Sequence, residues 1–375
     1  MWKKYRLSGV FKQLHIEHIT IQIFKKIEET PSGNFTVYIK LRTGASPSKV
    51  EKKLEQIAVG MKMESVSLER VSRNKFKLVF RNSSQDSFPQ YPQPSIGLRN
   101  GNKVMAIPFG LNSDGYQMRL PIFTPSGGTV TLIGGLPGQG KSSALKLLVS
   151  GVTTSSDCII WFDPKSGADA SAYHNRVHAV VDPLNSEPYQ RIIKFLLKSV
   201  LIRNSILSSG SSIDSLPRII LLIDEWYLLS SIAPKNEQVE IQNSLRRLVA
   251  TGRSANISII LSTQRPTSQN IDVTTRELCN SRVAFYCGDI HASEAILGQP
   301  GAEDKTNPLK PGEALVWIDG KLNRTTLFRV PDVTEIPQLI SHRRNISLIQ
   351  LRNEEKELCD RLGLEIKSEE DFQMM

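Results

Sequence analysis

The sequence predicts an α/β fold: a core built on a mainly parallel sheet, with a small α/β domain in front of it. Three observations carry this reading. Five short apolar, β-branched runs, at 129–133, Cys158–Phe162, 177–181, Ile219–Ile223 and 257–261, alternate with helical stretches at 142–149, 187–203 and 237–251. Runs that are apolar on both faces suit strands covered by helices on both sides. A glycine-rich turn, GLPGQGKS at 135–142, stands between one such run and one such helix. The stretch NSSQDSFPQYPQPS at 82–95 is rich in Ser, Gln and Pro and reads as a linker. The expected divisions are therefore 1–90 as a small basic α/β domain, 91–345 as the motif-bearing core, and 346–375 as a charged helical tail.

In the first division, residues 1–30 are only partly helical in pattern. Residues 34–41 alternate like a strand. Ser46-Pro47 is a cap followed by a first-turn proline, which opens an amphipathic helix running to about residue 59. Two more strands are expected at 65–70 and 75–80. Near the other end, Ile318-Asp319-Gly320-Lys321 carries the signal of a two-residue hairpin turn.

Charge separates these regions. The net charge is +10, and residues 1–82 hold 17 basic against 7 acidic side chains, whereas 346–375 holds 4 against 8. A basic amino-terminal unit attracts polyanions through screened Coulomb forces and counterion release. No apolar run approaches the roughly 18 residues needed to cross a bilayer. The first nineteen residues lack the apolar centre of a signal peptide. The expectation is a chain without a membrane span of its own, recruited by a partner if it works at a membrane. The four cysteines have no metal-ligand spacing and read as reduced thiols. His174 and His178 could share a helix face but have no acidic or thiol companion, which argues against zinc.

Chemistry concentrates in two places. GLPGQGKS fits G-x-x-x-x-G-K-[ST] with a strand before it and a helix after it, as a phosphate-binding loop requires. Gly135, Gly138 and Gly140 would let the backbone wrap a phosphate closely. Leu136, Pro137 and Gln139 complete the cradle of N–H groups, and the helix amino terminus adds partial positive charge. Lys141 would reach the β- and γ-phosphates of ATP, and Ser142 would bind Mg2+ through its hydroxyl. The second place is RIILLIDEW at 218–226. There Asp224 stands where a carboxylate of the Mg2+ shell belongs, and Glu225 where the base that activates water belongs. A nearby LSSGS at 207–211 lacks the further residues of an ABC-type signature and reads as a loop.

The segment SLRRLVATGRSANISIILSTQRPT (244–267) resembles the FtsK/SpoIIIE family of DNA translocases, in which a strand ends in Ala-Thr-Gln-Arg-Pro. FDPK (162–165) resembles the family's Asp-Pro-Lys, and residues 281–316 resemble the segment that closes its motor domain. The resemblance covers most of 35–330 and rests on the ordered set of phosphate loop, FDPK, DEW and TQRP. It implies a RecA-like P-loop NTPase core and an ATP-dependent double-stranded DNA translocase, assembled as a homo-oligomeric, hexameric ring. It further implies Arg253 as an arginine finger toward a neighbouring subunit, Gln264 as a polar sensor, and Arg265 and Arg276 as DNA contacts. Ile290 and Glu294 depart from a Lys and an Arg common in the family. The absence of the family's membrane segments and winged-helix unit suggests a cytoplasmic bacterial relative serving plasmid transfer, conjugation or another mobile element, with a membrane or relaxase partner protein. Two other readings stay open: an FtsK-like ATPase that drives protein secretion, and a nucleotide-dependent plasmid or replication accessory protein.

Overall fold

Alternating and continuous apolar runs become strands at the expected positions, and the structure adds the order in which they lie. The computed structural model describes residues 2–364 apart from 22–27, 30–33, 43–45, 64, 82–88, 92–97, 101–102, 153–156, 166, 172, 174–175, 268–269, 272 and 332–346. Most of the expected linker at 82–95, the end of the tail and His174 lie outside the described residues. The chain forms two compact units, residues 1–88 with 111–117, and 89–110 with 118–375; the two strands that straddle a boundary, 103–112 and 117–121, are described with the second.

The first unit contains α1 (Trp2–Gln13), β1 (Ile19–Ile21), β2 (Glu28–Glu29), β3 (Phe35–Leu41), α2 (Pro47–Glu51), α3 (Leu54–Met61), β4 (Ser65–Ser72) and β5 (Lys75–Arg81). Its sheet runs β1-β3-β5-β4, all antiparallel, with β2 also paired to β3. Alternate residues of β3 (Phe35, Val37, Ile39, Leu41) are buried with Leu7 and Phe11 of α1 and Ile57 and Met61 of α3. Phe35 and Phe80 stack across the sheet with centroids 4.6 Å apart. The helix expected over 46–59 is two helices. The Lys53 amide turns back three residues to the Val50 carbonyl, which tightens and ends the first turn, and α3 restarts when Ile57 bonds to Lys53.

The second unit contains β6 (Leu98–Asn100), β7 (Lys103–Asn112), β8 (Gln117–Pro121), β9 (Phe123–Thr124), β10 (Gly127–Gly128), β11 (Val130–Gly134), α4 (Lys141–Val152), β12 (Cys158–Phe162), α5 (Ala168–Ser171), β13 (His178–Val180), α6 (Glu187–Ser208), β14 (Ile219–Ile223), α7 (Trp226–Ser231), α8 (Lys235–Thr251), β15 (Ile257–Thr263), α9 (Val273–Glu277), β16 (Ser281–Ala284), α10 (Ile290–Leu297), β17 (Glu313–Ile318), β18 (Lys321–Leu327) and α11 (Leu348–Arg361). Its large sheet runs β13-β12-β14-β15-β11-β16-β17-β18-β7-β6. The first six strands are parallel, and β17 and β18 continue it antiparallel. Every residue of β11, β12, β14 and β15 is buried. That burial is the physical origin of their continuous apolar character. The hairpin joining β17 to β18 turns at Asp319 and Gly320, both with positive φ (49° and 77°), which a type I′ turn demands. Among the described residues no helix is long and apolar enough to cross a membrane.

Helix α11 is charged along its length yet is built into the second unit. A capping box at Ser347 and Gln350 starts it. Leu348 and Leu351 join the main core, and Leu358 and Cys359 pack with Ile202 and Ile206 of α6. Beneath it Arg203 and Glu355, both fully buried, form an ion pair of 2.8 Å. The two amino groups of Arg203 donate to the carbonyls of Ala255 and Pro217, and Ser199 and Arg352 complete the carboxylate's partners. Removing one half of such a pair strands the other charge in a low-dielectric interior. Glu355→Ala is therefore expected to cost about 3–5 kcal/mol in urea unfolding, and the apolar double variant Arg203→Met/Glu355→Leu distinctly less.

Candidate functional site

Strand register decides what meets at the carboxyl edge of the sheet. Gly134 of β11 lies opposite Thr263 of β15, Ile223 of β14 opposite Leu261, and Phe162 of β12 opposite Ile223. Continuing that register one residue places Asp163 level with Asp224, and two residues places Glu225 level with Thr263. With neighbouring strands about 4.8 Å apart, GLPGQGKS, FDPK, DE and TQ all emerge along one short edge.

The glycine-rich turn is shaped by its glycines. Gly135, Gly138 and Gly140 all have positive φ (140°, 76° and 118°). A side chain on Gly135 would come within 2.7 Å of the Phe285 Cβ, and one on Gly140 within 3.0 Å of the Phe285 ring. Gly135 therefore meets Phe285, the residue after β16, too closely for a Cβ, and Gly140 could take one only if the Phe285 ring gave way by a few tenths of an ångström. The Leu136 amide bonds to the Tyr286 carbonyl, and the Gln139 carbonyl accepts from Gly312, which ties the turn to its neighbours at both ends. Leu136, Pro137 and Gly138 are exposed at its crest, and Gln139, Gly140 and Ser142 are half-buried. Lys141 opens α4, is only 5% exposed, and donates to the carbonyls of Gly135 (2.8 Å) and Leu136 (2.5 Å). Burial pulls its ammonium down to about 8; the Lys165 cation adds to the fall, while Glu225 and Asp224 oppose it.

Asp224 and Glu225 are 3% and 7% exposed at the end of β14. The Lys165 ammonium lies 3.1 Å from one Asp224 oxygen and 3.6 Å from one Glu225 oxygen, bridging the pair. Burial pushes the Asp224 carboxyl above its ordinary range, and Lys165 works against that rise. Glu225 takes a left-handed backbone, φ 73°. For a residue with a Cβ this costs about 1–3 kcal/mol, a strain that concentrates at functional sites. Its carboxylate is turned toward β15. There it accepts from the Thr263 hydroxyl (2.9 Å) and from the backbone amide of Gln264 (2.9 and 3.2 Å).

The structure thus brings together Gly135–Gly140, Lys141, Ser142, Asp224, Glu225 and Gln264. It also adds two residues to which the sequence reading assigned no role. Lys165 stood only as one letter of FDPK, and its signal is a lysine just beyond a strand end. Thr263 was hidden inside STQRP; its signal is a hydroxyl at the end of an apolar run, shortly before a proline. Arg253 lies elsewhere. It precedes β15 and so sits at the amino edge of the sheet, about 20 Å of strand away from the phosphate-loop edge. It is exposed and donates to the Ser126 hydroxyl at 2.8 Å. Arg265 is exposed on the loop after β15, whereas the half-buried Arg276 donates to the Glu294 carbonyl at the end of α10.

No family model matches the sequence. The chain is 22% identical over 322 residues to the DNA translocase FtsK of Clostridium tetani, covering 79% of this chain and 42% of that protein. With the DNA translocase FtsK of Lactococcus lactis it is 24% identical over 298 residues, 71% of this chain and 38% of that one. It therefore spans less than half the length of these relatives. Among solved structures, the pCW3 conjugation coupling protein TcpA, a monomer form with ATPγS, superposes with a TM-score of 0.62 at 17% identity, covering 90% of this chain and 99% of that one. The cytoplasmic domain of the type VII secretion ATPase EccC of Thermomonospora curvata gives 0.56 at 21% identity, covering 68% and 33%. The chain is structurally related to P-loop ATPases and has the fold of the motors of the FtsK/HerA-like translocase superfamily.

Two glycines separate close packing from conformation alone. Gly138 has positive φ but nothing within 4 Å of the place a Cβ would take, whereas Gly135 has both strain and a clash. Gly138→Ala is expected to lower stability by about 1 kcal/mol. Gly135→Ala should lower it at least about twice as much, both measured by urea unfolding.

Proposed function

We propose that this chain is an ATP-driven double-stranded DNA translocase of the FtsK/SpoIIIE type that serves transfer of a plasmid or other mobile element. The observation that carries the proposal is the shared edge on which the Lys141 and Lys165 ammonium groups, two buried carboxylates and a glycine-shaped turn converge. The similarity to TcpA over nearly the whole of both chains supports the conjugative version, and the FtsK relatives support DNA as the substrate.

In this reading the N–H groups of the turn and the amino terminus of α4 hold the ATP phosphates. Lys141 leaves the carbonyls of Gly135 and Leu136 to neutralise the β- and γ-phosphates. The Ser142 hydroxyl and the Asp224 carboxylate are hard oxygen donors, and two such donors with phosphate oxygens suit Mg2+. The ion, when bound, would neutralise phosphate charge. Glu225 accepts a proton from water as the water oxygen bonds to the γ-phosphorus and the bond to the β–γ bridging oxygen breaks, releasing ADP. Gln264 presents its backbone amide to Glu225 and stands at the γ-phosphate side as the polar sensor. Arg253 serves the nucleotide of a neighbouring copy, since its own site is at the opposite edge of the sheet; this calls for a ring, six copies by resemblance. Arg265 and Arg276 remain the proposed DNA contacts, Arg265 with its side chain on the surface. Grip on phosphates makes the affinity salt-sensitive and largely indifferent to sequence. A membrane or relaxase partner protein would direct the motor in the bacterial cytoplasm.

A second reading, a motor that moves protein, is favoured by the likeness to EccC. The two part in one measurement. ATPase rate is expected to rise several-fold with double-stranded DNA, less with single-stranded DNA, with the stimulation weakening between about 50 and 200 mM salt. Lys141→Ala should abolish hydrolysis. A rate indifferent to DNA at both salt concentrations overturns the DNA reading.

Nucleotide binding should also move a proton. Lys141 is held down to about 8, and phosphate beside it favours the charged form and raises it. Near pH 8.5 the free protein is therefore partly deprotonated at Lys141 and the complex is not, so binding takes up protons and affinity falls as pH rises through this range. Calorimetry in two buffers of different ionisation enthalpy reads the uptake. At pH 6.5, where Lys141 is protonated in both states, its contribution disappears.

A further inference from the structure

The loop after β15 is tied back to Glu225 by more than one contact. Trp226, the residue next to Glu225, is 7% exposed and donates its indole N–H to the Asn270 carbonyl at 3.1 Å. The Asn270 side-chain amide donates to the Arg265 carbonyl at 2.9 Å. The Arg265 backbone amide donates to the Thr263 hydroxyl at 3.1 Å, and that hydroxyl donates to Glu225 at 2.9 Å. These bonds close a ring that leaves Glu225 through its peptide bond to Trp226 and returns to its carboxylate through Thr263. Both backbone polar groups of Arg265 belong to the ring, while its side chain is exposed.

We infer that this ring positions Glu225 and makes Thr263, Arg265 and Asn270 the control point of hydrolysis, reporting an anionic polymer held at Arg265 to the base. Thr263 and Asn270 are the positioning residues. The inference deepens the proposed function and rests on its reading of Glu225.

Physical reasons converge on it. Glu225 sits in a left-handed conformation that does not persist without support, and the ring grips it from both sides: its carboxylate by Thr263, its following residue by Asn270. Thr263 is fully buried, so its hydroxyl has no water to replace Glu225 or the Arg265 amide. A pull on the Arg265 side chain displaces the two backbone groups that orient Thr263 and Asn270. Hydrogen bonds in such a chain polarise one another, so loss at one member weakens the rest.

The test uses the full chain, single-turnover ATP hydrolysis, the affinity of a fluorescent ATP analogue, and linear duplex DNA as the polymer. Thr263→Val keeps shape and removes the hydroxyl. It should slow hydrolysis about tenfold or more with nucleotide affinity within about twofold, and Thr263→Ser should restore the rate. A merely structural role would lower affinity and rate together and leave serine no special merit. Asn270→Ala should bring the ratio of rates with and without duplex toward one. The double variant Thr263→Val/Asn270→Ala should be no slower than Thr263→Val alone, because both act through one ring. Independent, multiplying effects of the two substitutions overturn the inference, as does wild-type hydrolysis in Thr263→Val. If duplex leaves the unsubstituted chain's rate unchanged, the DNA reading fails. The ring is then still judged by the valine–serine pair and the double variant, which need no polymer.

Discussion

The register of four buried parallel strands is the constraint on which the site depends. β12, β14, β15 and β11 lie side by side, and the loops leaving their carboxyl ends carry FDPK, DE, TQ and the glycine-rich turn. Strand side chains alternate faces with a period of two. A slip of one residue in β14 would turn Asp224 and Glu225 each to the opposite face of the sheet and take Glu225 away from Thr263. Every residue of each of these strands is buried, so a slip would draw a flanking polar residue, such as Asp224 after β14, in between the covering helices, which is costly. The cost of gathering two carboxylates there is met by Lys165 and by hydrogen bonds to Glu225, since a buried charge is tolerable only when paired.

The same edge shows how a site holds opposing charges in tension. Lys141 is buried enough to lose much of its preference for the proton, while Asp224 is buried enough to be pushed toward holding one. Lys165 moves each of them in the same sense, downward: it favours the ionised form of Asp224 against the effect of burial and makes Lys141 less willing to carry charge. Polyphosphate chemistry reverses the balance, because several negative charges arriving beside Lys141 restore its ammonium. The site is thus arranged around an anion, and its resting ion pairs are the ones such an anion would rearrange.

Away from the edge, the second unit is closed by a helix that its composition would assign to solvent. α11 carries many charges, yet its Leu348, Leu351, Leu358 and Cys359 face inward, and Arg203–Glu355 is sealed beneath it. Arg203 also reaches the carbonyl of Ala255, two residues after Arg253. The helix and the turn that bears Arg253 therefore share one buried guanidinium.

Local sequence was sufficient for whatever has a local cause. Glycines that need positive φ, the proline that opens α2, the Asp-Gly turn after β17 and the unbroken apolar runs all act through neighbours in the chain, so the α/β class, the phosphate-loop signature and the acidic strand end were readable. So was the approximate place of most elements, with the helix over 46–59 misjudged because a single tight turn at Lys53 depends on how α2 packs. Tertiary structure alone decided the order of the strands, the position of Arg253 at the edge opposite the phosphate loop, the capture of Arg276 by the Glu294 carbonyl, and the burial of α11. It alone brought Lys165 from one strand end and Thr263 from another to the acids of a third. These are contacts between residues tens of positions apart, set by which surfaces bury best against each other, and no pattern within a short window of sequence encodes them.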